Sequence, residues 1–451
     1  MLASRASITP SLVSLAVFFQ SNGEENTPMA EHPLRETPLN TATKGLGESP
    51  ASCSLHDVAS LGWNILREEV SLPVAVLRQS RLQHNLHWMQ DFMQRYGVKL
   101  APHGKTTMSP ALFHLQLEYG AWGITLASAP QVQAAWRHGI RRVLLANQLV
   151  GKANMAIISR LLQDTGFSFC CIVDSATNVD ALGQYFAGAG QRLRILLEYG
   201  VEGGRTGIRS PQQEDAVLAA IARWPQSLSL VGVEVYEGVL QQEADIRTFL
   251  QAVLARTRVH AAAGLFVEED IILTGAGSAW YDVVADEFSG FNPGQPVTIL
   301  LRPGCYLTHD VGIYRHAEQH IHSHNPIARD MGSSLQPALQ LWAYVQSLPE
   351  DGRAIIALGK RDAAFDAGLP QVSLHFRPGR DQEAQAAPAD WIVSTMMDQH
   401  AFMRIPADAD LQVGDMLAFE ISHPCLTFDK WRQLLLVDDA LNVTGAVETL
   451  F

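Results

Sequence analysis

The sequence predicts an α/β protein, a (β/α)8 barrel followed by a C-terminal all-β domain. Three observations carry this. Eight short Val/Ile/Leu-rich runs lie between residues 98 and 301, separated by amphipathic stretches. Each run is apolar on consecutive residues, as strands buried on both faces are. After about Tyr306 the long helical stretches stop, and short strands follow one another with turn residues between them. An open doubly wound sheet has the same alternation, and periodicity alone does not separate it from a barrel.

The barrel strands are expected at Val98–Pro102, Gly123–Leu126, Val143–Ala146, Phe169–Val173, Leu193–Glu198, Leu228–Tyr236, Ile271–Thr274 and Val297–Leu301. Ser109-Pro110 pairs an N-cap residue with proline at the first helical position, predicting a helix to about Tyr119. Gly139 and Gly166 fall where helices should stop. Strands of the second half are expected at Ala343–Val345, Ala354–Ala357, Val372–His375, Ile392–Met396, Met416–Phe419 and Leu434–Val437. Pro73–Leu77 reads as one more strand, which joins that half. Asp381–Asp390 is a low-complexity surface loop. The domain expectation is therefore a disordered extension over 1–52, a barrel over 80–305 and a β-domain over 306–451, with 53–79 packing on the last.

The chain has 451 residues, 47% of them hydrophobic, with 33 Lys+Arg against 46 Asp+Glu and a net charge of −13. That composition suits a folded protein with ample core. The acidic balance argues against nucleic acid or a membrane surface as partner. Five cysteines, Cys53, Cys170, Cys171, Cys305 and Cys425, are an odd number set far apart. No disulfide framework is implied, so the cytoplasm is the expected compartment. Leu12–Phe19 is too short an apolar run to cross a membrane. Only Arg5 precedes it and no small-x-small cleavage site follows. It reads as a loose extension, or as the result of a start placed ahead of Met29.

Five segments carry chemistry. Pro102-His103-Gly104-Lys105-Thr106-Thr107 closes the first barrel strand, at the end where barrel active sites sit. A lysine buried there loses basicity and becomes a nucleophile toward a carbonyl cofactor, whereas alone it reads as a surface residue of a loop. Glu198-Tyr199-Gly200 runs into Gly203-Gly204-Arg205-Thr206-Gly207, a glycine-rich turn with one arginine. Val231 to Gly238 is a strand ending at Tyr236, a position more often core or rim. Thr274-Gly275-Ala276-Gly277-Ser278 and Gly304-Cys305-Tyr306 follow the last two strands, the usual phosphate position of a barrel, with amides and hydroxyls that suit a dianion. Ser422-His423-Pro424-Cys425 places imidazole and thiol two residues apart, on one side of an extended segment. Such a soft pair favours zinc over harder ions.

The segment Val98 to Thr106 resembles the pyridoxal-phosphate lysine segment of the D-serine dehydratase and D-threonine aldolase family, which is built on the alanine-racemase-type barrel of fold-type III. The likeness covers roughly residues 70–445, with several motifs in the same order. It implies that Lys105 holds the cofactor, with His103 beside it. It implies that Arg205 approaches the cofactor's phenolic oxygen and that Gly277, Ser278, Gly304, Cys305 and Tyr306 surround its phosphate. Tyr236 matches the residue beside the pyridine nitrogen. Arg302 matches the arginine at that nitrogen in alanine racemases and is the competing candidate; neither is an acid. His423 and Cys425 match the metal pair, in the His-x-Cys form that dehydratases of this family carry with zinc. Aldolases carry His-x-Asp, which suits manganese.

The implied activity is elimination of water from D-serine or a similar D-3-hydroxy amino acid, giving pyruvate and ammonia. Metal-dependent cleavage of D-threonine-like substrates is the alternative, and a non-catalytic pyridoxal-phosphate carrier is another. A homodimer is implied, since related proteins pair one barrel with the partner's β-domain. Two further clusters are weighed: His316, His320, His322 and His324, read as a solvated loop against a second metal site, and Asp398-Gln399-His400, read as a turn against a support for the metal or substrate.

Overall fold

The computed structural model describes residue 39, residues 43–50 and residues 53–451. The apolar run Leu12–Phe19 and Met29 lie outside the described residues. The chain divides into two compact units, one of residues 84–336 with 423–429 and 449–451, the other of the preceding segment with 337–422 and 430–448.

The first unit is the barrel. Its parallel strands are β2 (Lys99–Leu100), β3 (Ile124–Leu126), β4 (Arg142–Gln148), β5 (Ser168–Val173), β6 (Leu193–Tyr199), β7 (Leu228–Val235), β8 (Ile271–Gly275) and β9 (Val297–Leu301), counted after β1 (Val74–Arg78). Each falls on a run expected from the sequence. The hydrogen-bonded order is β2-β9-β8-β7-β6-β5-β4-β3. Trp122 N donates to Leu100 O at 2.7 Å and Thr125 N to Pro102 O at 2.9 Å, which joins β3 back to β2. The sheet is thus closed, and the doubly wound alternative is set aside.

Alternate residues of the strands fill the interior, among them Leu144, Cys170, Ile172, Leu196, Val231 and Leu300. The helices between the strands are α1 (Gln79–Tyr96), α2 (Pro110–Glu118), α3 (Ala129–Arg137), α4 (Lys152–Leu161), α5 (Ala176–Gly188), α6 (Pro211–Ala222), α7 (Glu243–Ala262) and α8 (Tyr281–Phe288). Serine opens three of them by accepting an orphan amide: Ser128 from Gln131 N, Ser175 from Asn178 N and Ser210 from Gln213 N. Ser109 precedes Pro110 at the start of α2, yet its side chain makes no cap bond. Gly232 lets β7 and β8 approach, since a Cβ there would lie 1.9 Å from Ile272 O.

Two features differ from the sequence reading. Residues 306–336 belong with the barrel, and within them the histidine run forms a helix, α9 (Ile313–His324), followed by α10 (Pro326–Met331). Histidine is an indifferent helix former, so a helix there depends on packing, and Ile321 supplies it from a fully buried position.

The second unit is a ten-stranded sheet in the order β13-β12-β16-β10-β1-β17-β18, with β11, β15 and β14 attached beyond β10. Its strands are β10 (Leu339–Glu350), β11 (Arg353–Ile356), β12 (Gln371–Phe376), β13 (Gln385–Ala386), β14 (Ile392–Met396), β15 (Ala401–Arg404), β16 (Met416–Glu420), β17 (Gln433–Val437) and β18 (Val443–Glu448). β1 pairs antiparallel with β10 and parallel with β17, so the early strand joins this unit. Trp342, Val76, Leu435 and Met416 anchor its core. Residues 43–50, expected in a disordered lead-in, are ordered against it. Leu46 is buried in that core, and Lys44 Nζ lies 2.6 Å from Asp362 Oδ1 and 3.8 Å from the centre of the Trp431 ring. Asp398-Gln399-His400 is the exposed turn between β14 and β15.

Candidate active site

The mouth of the barrel holds a cavity of about 170 Å³. β2 runs into a tight turn, Gly104–Thr106, that carries Lys105. A Cβ at Gly104 would lie 2.7 Å from Ile124 and Phe113, so the turn is pressed onto the barrel and its backbone is fixed. The Lys105 side chain is exposed to the cavity and has no hydrogen bond or ion pair among the described residues. His103 lines the same space, and its buried Nδ1 has no partner. Burial, then the charges of Lys105, Arg302 and Arg205, hold this imidazole well below its usual pKa, so it is neutral at pH 7.

Two arginines face the cavity in different ways. Arg205 lays its guanidinium over the Tyr236 ring, with Cζ 4.5 Å from the ring centre. Arg302 is 4% exposed and fully engaged. It donates to Glu234, to Thr274 Oγ1 at 2.9 Å and to Val235 O at 3.0 Å. The Arg302 charge is therefore fixed in place, whereas among the described residues Arg205 is held through the aromatic face alone.

The loops after β8 and β9 also reach the cavity. Gly304 N and Cys305 N both donate to Ser278 Oγ at 3.0 Å, which leaves the Ser278 hydroxyl proton available to an anion. A Cβ at Gly304 would lie 2.5 Å from Thr106 Oγ1, and one at Gly277 would lie 3.2 Å from the Tyr236 ring. The amides of Ala276 and Gly277, expected to face a phosphate, instead donate to the Glu237 carboxylate at 3.0 and 2.8 Å. Tyr306 is placed elsewhere than expected: it is buried beside Gln116 and does not line the cavity.

His423 and Cys425 line the cavity as well. The segment is not extended as the sequence reading had it. Pro424 is helical, and Cys425–Phe428 forms one helical turn that belongs with the barrel unit. The His423 side chain is nonetheless within hydrogen-bonding reach of the Cys425 thiol. Cys425 Sγ lies 3.7 Å from Cys305 Sγ and 3.4 Å from Thr106 Oγ1. The Cys305 hydrogen bond, then His423 and Thr106, pull the Cys425 thiol down to about 4 against the opposing effect of burial, while Cys305 is pushed up by its bond to Cys425 and by burial. The anionic sulfur of this pair is on Cys425.

Five residues of this region were not singled out from the sequence. Glu234 and Glu237 are buried at 1% and 0% exposure beneath the cavity. Glu198 accepts from Gln148 and, at 2.5 Å, from the Thr206 hydroxyl. Burial, then the Glu234 charge, push its carboxyl up to about 7. Asp310 accepts from Gly312 N and Tyr314 N, and Tyr314 lines the cavity near the two cysteines. Carboxylates inside otherwise apolar strands, as in Val-Glu-Val-Tyr-Glu, are the signal that marks the first three.

A primary amine without a partner among the described residues, a neutral imidazole, one fixed guanidinium, a second one over an aromatic ring and glycines that leave room suit an anionic aldehyde cofactor of the pyridoxal-phosphate kind. The imidazole–thiolate pair suits a zinc-like ion.

Comparison with known proteins agrees with this chemistry. Residues 77–282 match the family described as "Alanine racemase, N-terminal domain", and residues 338–437 match "Putative serine dehydratase domain". The chain is 30% identical over 395 residues to the D-threo-3-hydroxyaspartate dehydratase of Delftia sp. (strain HT23), spanning 84% of this chain and 96% of that one. It is 26% identical over 390 residues to the D-threonine aldolase of Arthrobacter sp, spanning 85% and 92%. Among solved structures, the D-threonine aldolase from Filomicrobium marinum superimposes with a TM-score of 0.71 at 21% identity, over 86% of this chain and 97% of that chain.

Proposed function

This chain belongs to the D-serine dehydratase and D-threonine aldolase family of fold-type III pyridoxal-phosphate enzymes, and on that premise we propose that it is a zinc-dependent lyase eliminating water from D-serine or a similar D-3-hydroxy amino acid. The observation that carries this reading is that Lys105 and the His423–Cys425 pair line one cavity. The family's cofactor acts as an electron sink that acidifies Cα–H, and a zinc ion supplies a Lewis acid for the departing hydroxyl.

The residues then divide the work. Lys105 Nζ, free of ion pairs, holds the cofactor aldehyde and afterwards moves the Cα proton. His103, Arg205, Gly277, Ser278, Gly304 and Cys305 form the cofactor's surroundings, with Ser278 donating to its phosphate. Tyr236 faces the ring, positioned by Arg205. Arg302 is held in place by its bonds to Glu234, Thr274 and Val235 O. His423 and Cys425 hold the metal, and a thiolate ligand favours zinc over manganese. A homodimer of this chain, acting in the cytoplasm on a small D-hydroxy amino acid, completes the proposal. Among the described residues no helix is long and apolar enough to cross a membrane.

The test is a panel of D- and L-hydroxy amino acids with pyruvate, glycine and ammonia read separately. Pyruvate and ammonia from D-serine, abolished by chelation and restored best by zinc, are expected. Glycine and an aldehyde from D-threonine would transfer the assignment to the aldolase branch. Cofactor retained without turnover of any substrate would leave a carrier.

A further inference from the structure

The C-terminal end of α9 meets the first turns of α7 and α8, behind the loop that carries Ser278. His320 and His324 stand one helical turn apart, with ring centres 4.1 Å from each other. His324 Nδ1 lies 2.5 Å from the His320 carbonyl oxygen. A carbonyl only accepts, so Nδ1 carries the hydrogen and Nε2 is the nitrogen turned toward the carboxylates. This Nε2 is buried and makes no hydrogen bond. It faces Asp282 Oδ2 at 3.4 Å and Glu243 Oε2 at 3.6 Å. His320 Nε2 is 3.5 Å from the same Glu243 oxygen. Asp282 is 1% exposed, and its Oδ1 has no partner either.

Carboxylates closing on these imidazoles call for a positive charge among them, which protonated imidazoles or a divalent ion supplies. The separations are longer than direct hydrogen bonds. They match the ~3.3 Å expected between neighbouring ligands of one tetrahedral ion with bonds of about 2.0–2.1 Å. We propose that Glu243, His320 and His324 form a second metal site, for zinc or a similar borderline divalent ion, with the Asp282 carboxylate beside it. Two imidazoles and one carboxylate disfavour calcium and magnesium, which take oxygen ligands alone. Arg247 Nε holds the other Glu243 oxygen at 2.8 Å, and the His320 carbonyl holds His324, so two of the three donors are already oriented from behind. The three ligands tie the first turn of α7 to the end of α9. Tyr314, at the cavity, lies ten residues before His324 on α9, or roughly 15 Å along the helix.

The test is metal counting on the holoenzyme after chelation and dialysis against zinc, with cobalt as a spectroscopic probe. The wild type is expected to hold two ions per chain and the variant H320A/H324A one, with kcat within twofold of wild type. C425A is expected to keep one cobalt ion that lacks a thiolate charge-transfer band. Should the double variant fold poorly, the C425A count and the single variant H320Q, with at least tenfold weaker binding of one ion, decide instead. A C425A protein that binds no cobalt, or an H320A/H324A protein as metal-rich as wild type, would overturn the proposal.

Discussion

The sulfur of Cys305 lies 3.7 Å from that of Cys425, although 120 positions separate them in the chain. One loop comes from the end of β9 and the other from between β16 and β17, so the pair exists only in the folded protein. The charge on it resides on Cys425, because His423 and Thr106 add to the hydrogen bond from Cys305. Zinc binds thiolate, so the two cysteines should differ as ligands. Cys425→Ser should remove the thiolate–cobalt absorption altogether. Cys305→Ser should keep the band while weakening the ion about 10-fold, as loss of a neighbour that orients a ligand does. Cobalt titrations of the two variants in parallel check this; equal losses would mean that both sulfurs bind the ion.

Lys105 should be the sole covalent anchor. Borohydride reduction of wild type should add the cofactor's mass to the peptide containing Lys105. Lys105→Ala should show no such adduct and no turnover, with an unchanged far-ultraviolet circular dichroism spectrum. An adduct on another lysine would relocate the site.

Glu198 should make stability fall with rising pH. Its carboxyl is raised from the ordinary 4.5 to about 7 by burial first and by Glu234 second. Between those values the folded chain keeps a proton that the unfolded chain has released, so unfolding becomes easier as pH rises through the window. Glu198→Gln removes the titration. Its stability relative to wild type should increase between pH 4.5 and 7, by up to about 3 kcal/mol, and stay level above that. Urea midpoints of both proteins across the window provide the measurement; a difference independent of pH would refute the assignment.

Glu237 accepts the two amides that begin the loop after β8, so Glu237→Ala would leave both donors buried without a partner. Each such loss costs about 1–3 kcal/mol. Pyridoxal phosphate should bind about 10-fold more weakly to the variant, by fluorescence titration. Unchanged affinity would show that the loop holds its shape without the carboxylate.

Gly232→Ala should damage the barrel itself. The added methyl would enter the van der Waals shell of Ile272 O in the neighbouring strand, where only backbone movement makes room. A loss of about 3 kcal/mol is expected. Chemical denaturation reads it directly; a loss under about 1 kcal/mol would mean the strands part more easily than their pairing suggests.

The barrel was legible in the sequence because strands buried on both faces announce themselves as apolar runs, and each of the eight runs became a strand. The antiparallel unit was less so. β13, β15 and β18 escaped notice because short strands with one wet face, such as Gln385–Ala386, carry little apolar signal. α9 was taken for a loop because His316, His320, His322 and His324 advertise polarity, while the contact that makes the helix, Ile321, is a single residue. At the site, motif residues were found where a loop ended a strand, and all except Tyr306 line the cavity. Glu234, Glu237 and Glu198 were passed over because their strands read as core, and a buried carboxylate is visible only when its partner, such as Arg302, is known in space. Asp310 and Tyr314 have no local pattern at all.

The place of β1 in its sheet has a consequence for how the chain is made. Val74 pairs with Trp342 and Val76 with Leu435. During synthesis, this buried strand, apolar except for Arg78, leaves the ribosome long before either neighbour exists. The barrel strands pair next to their sequence neighbours or close on β2, and they are complete by Leu301. β1 must therefore wait, with both hydrogen-bonding edges open, while an entire barrel assembles behind it. An unpaired apolar strand in that condition invites pairing with another nascent chain. The protein's vulnerable moment is thus in translation, and a slow or interrupted message should yield aggregates seeded by Val74–Arg78 and not by the enzyme's larger half.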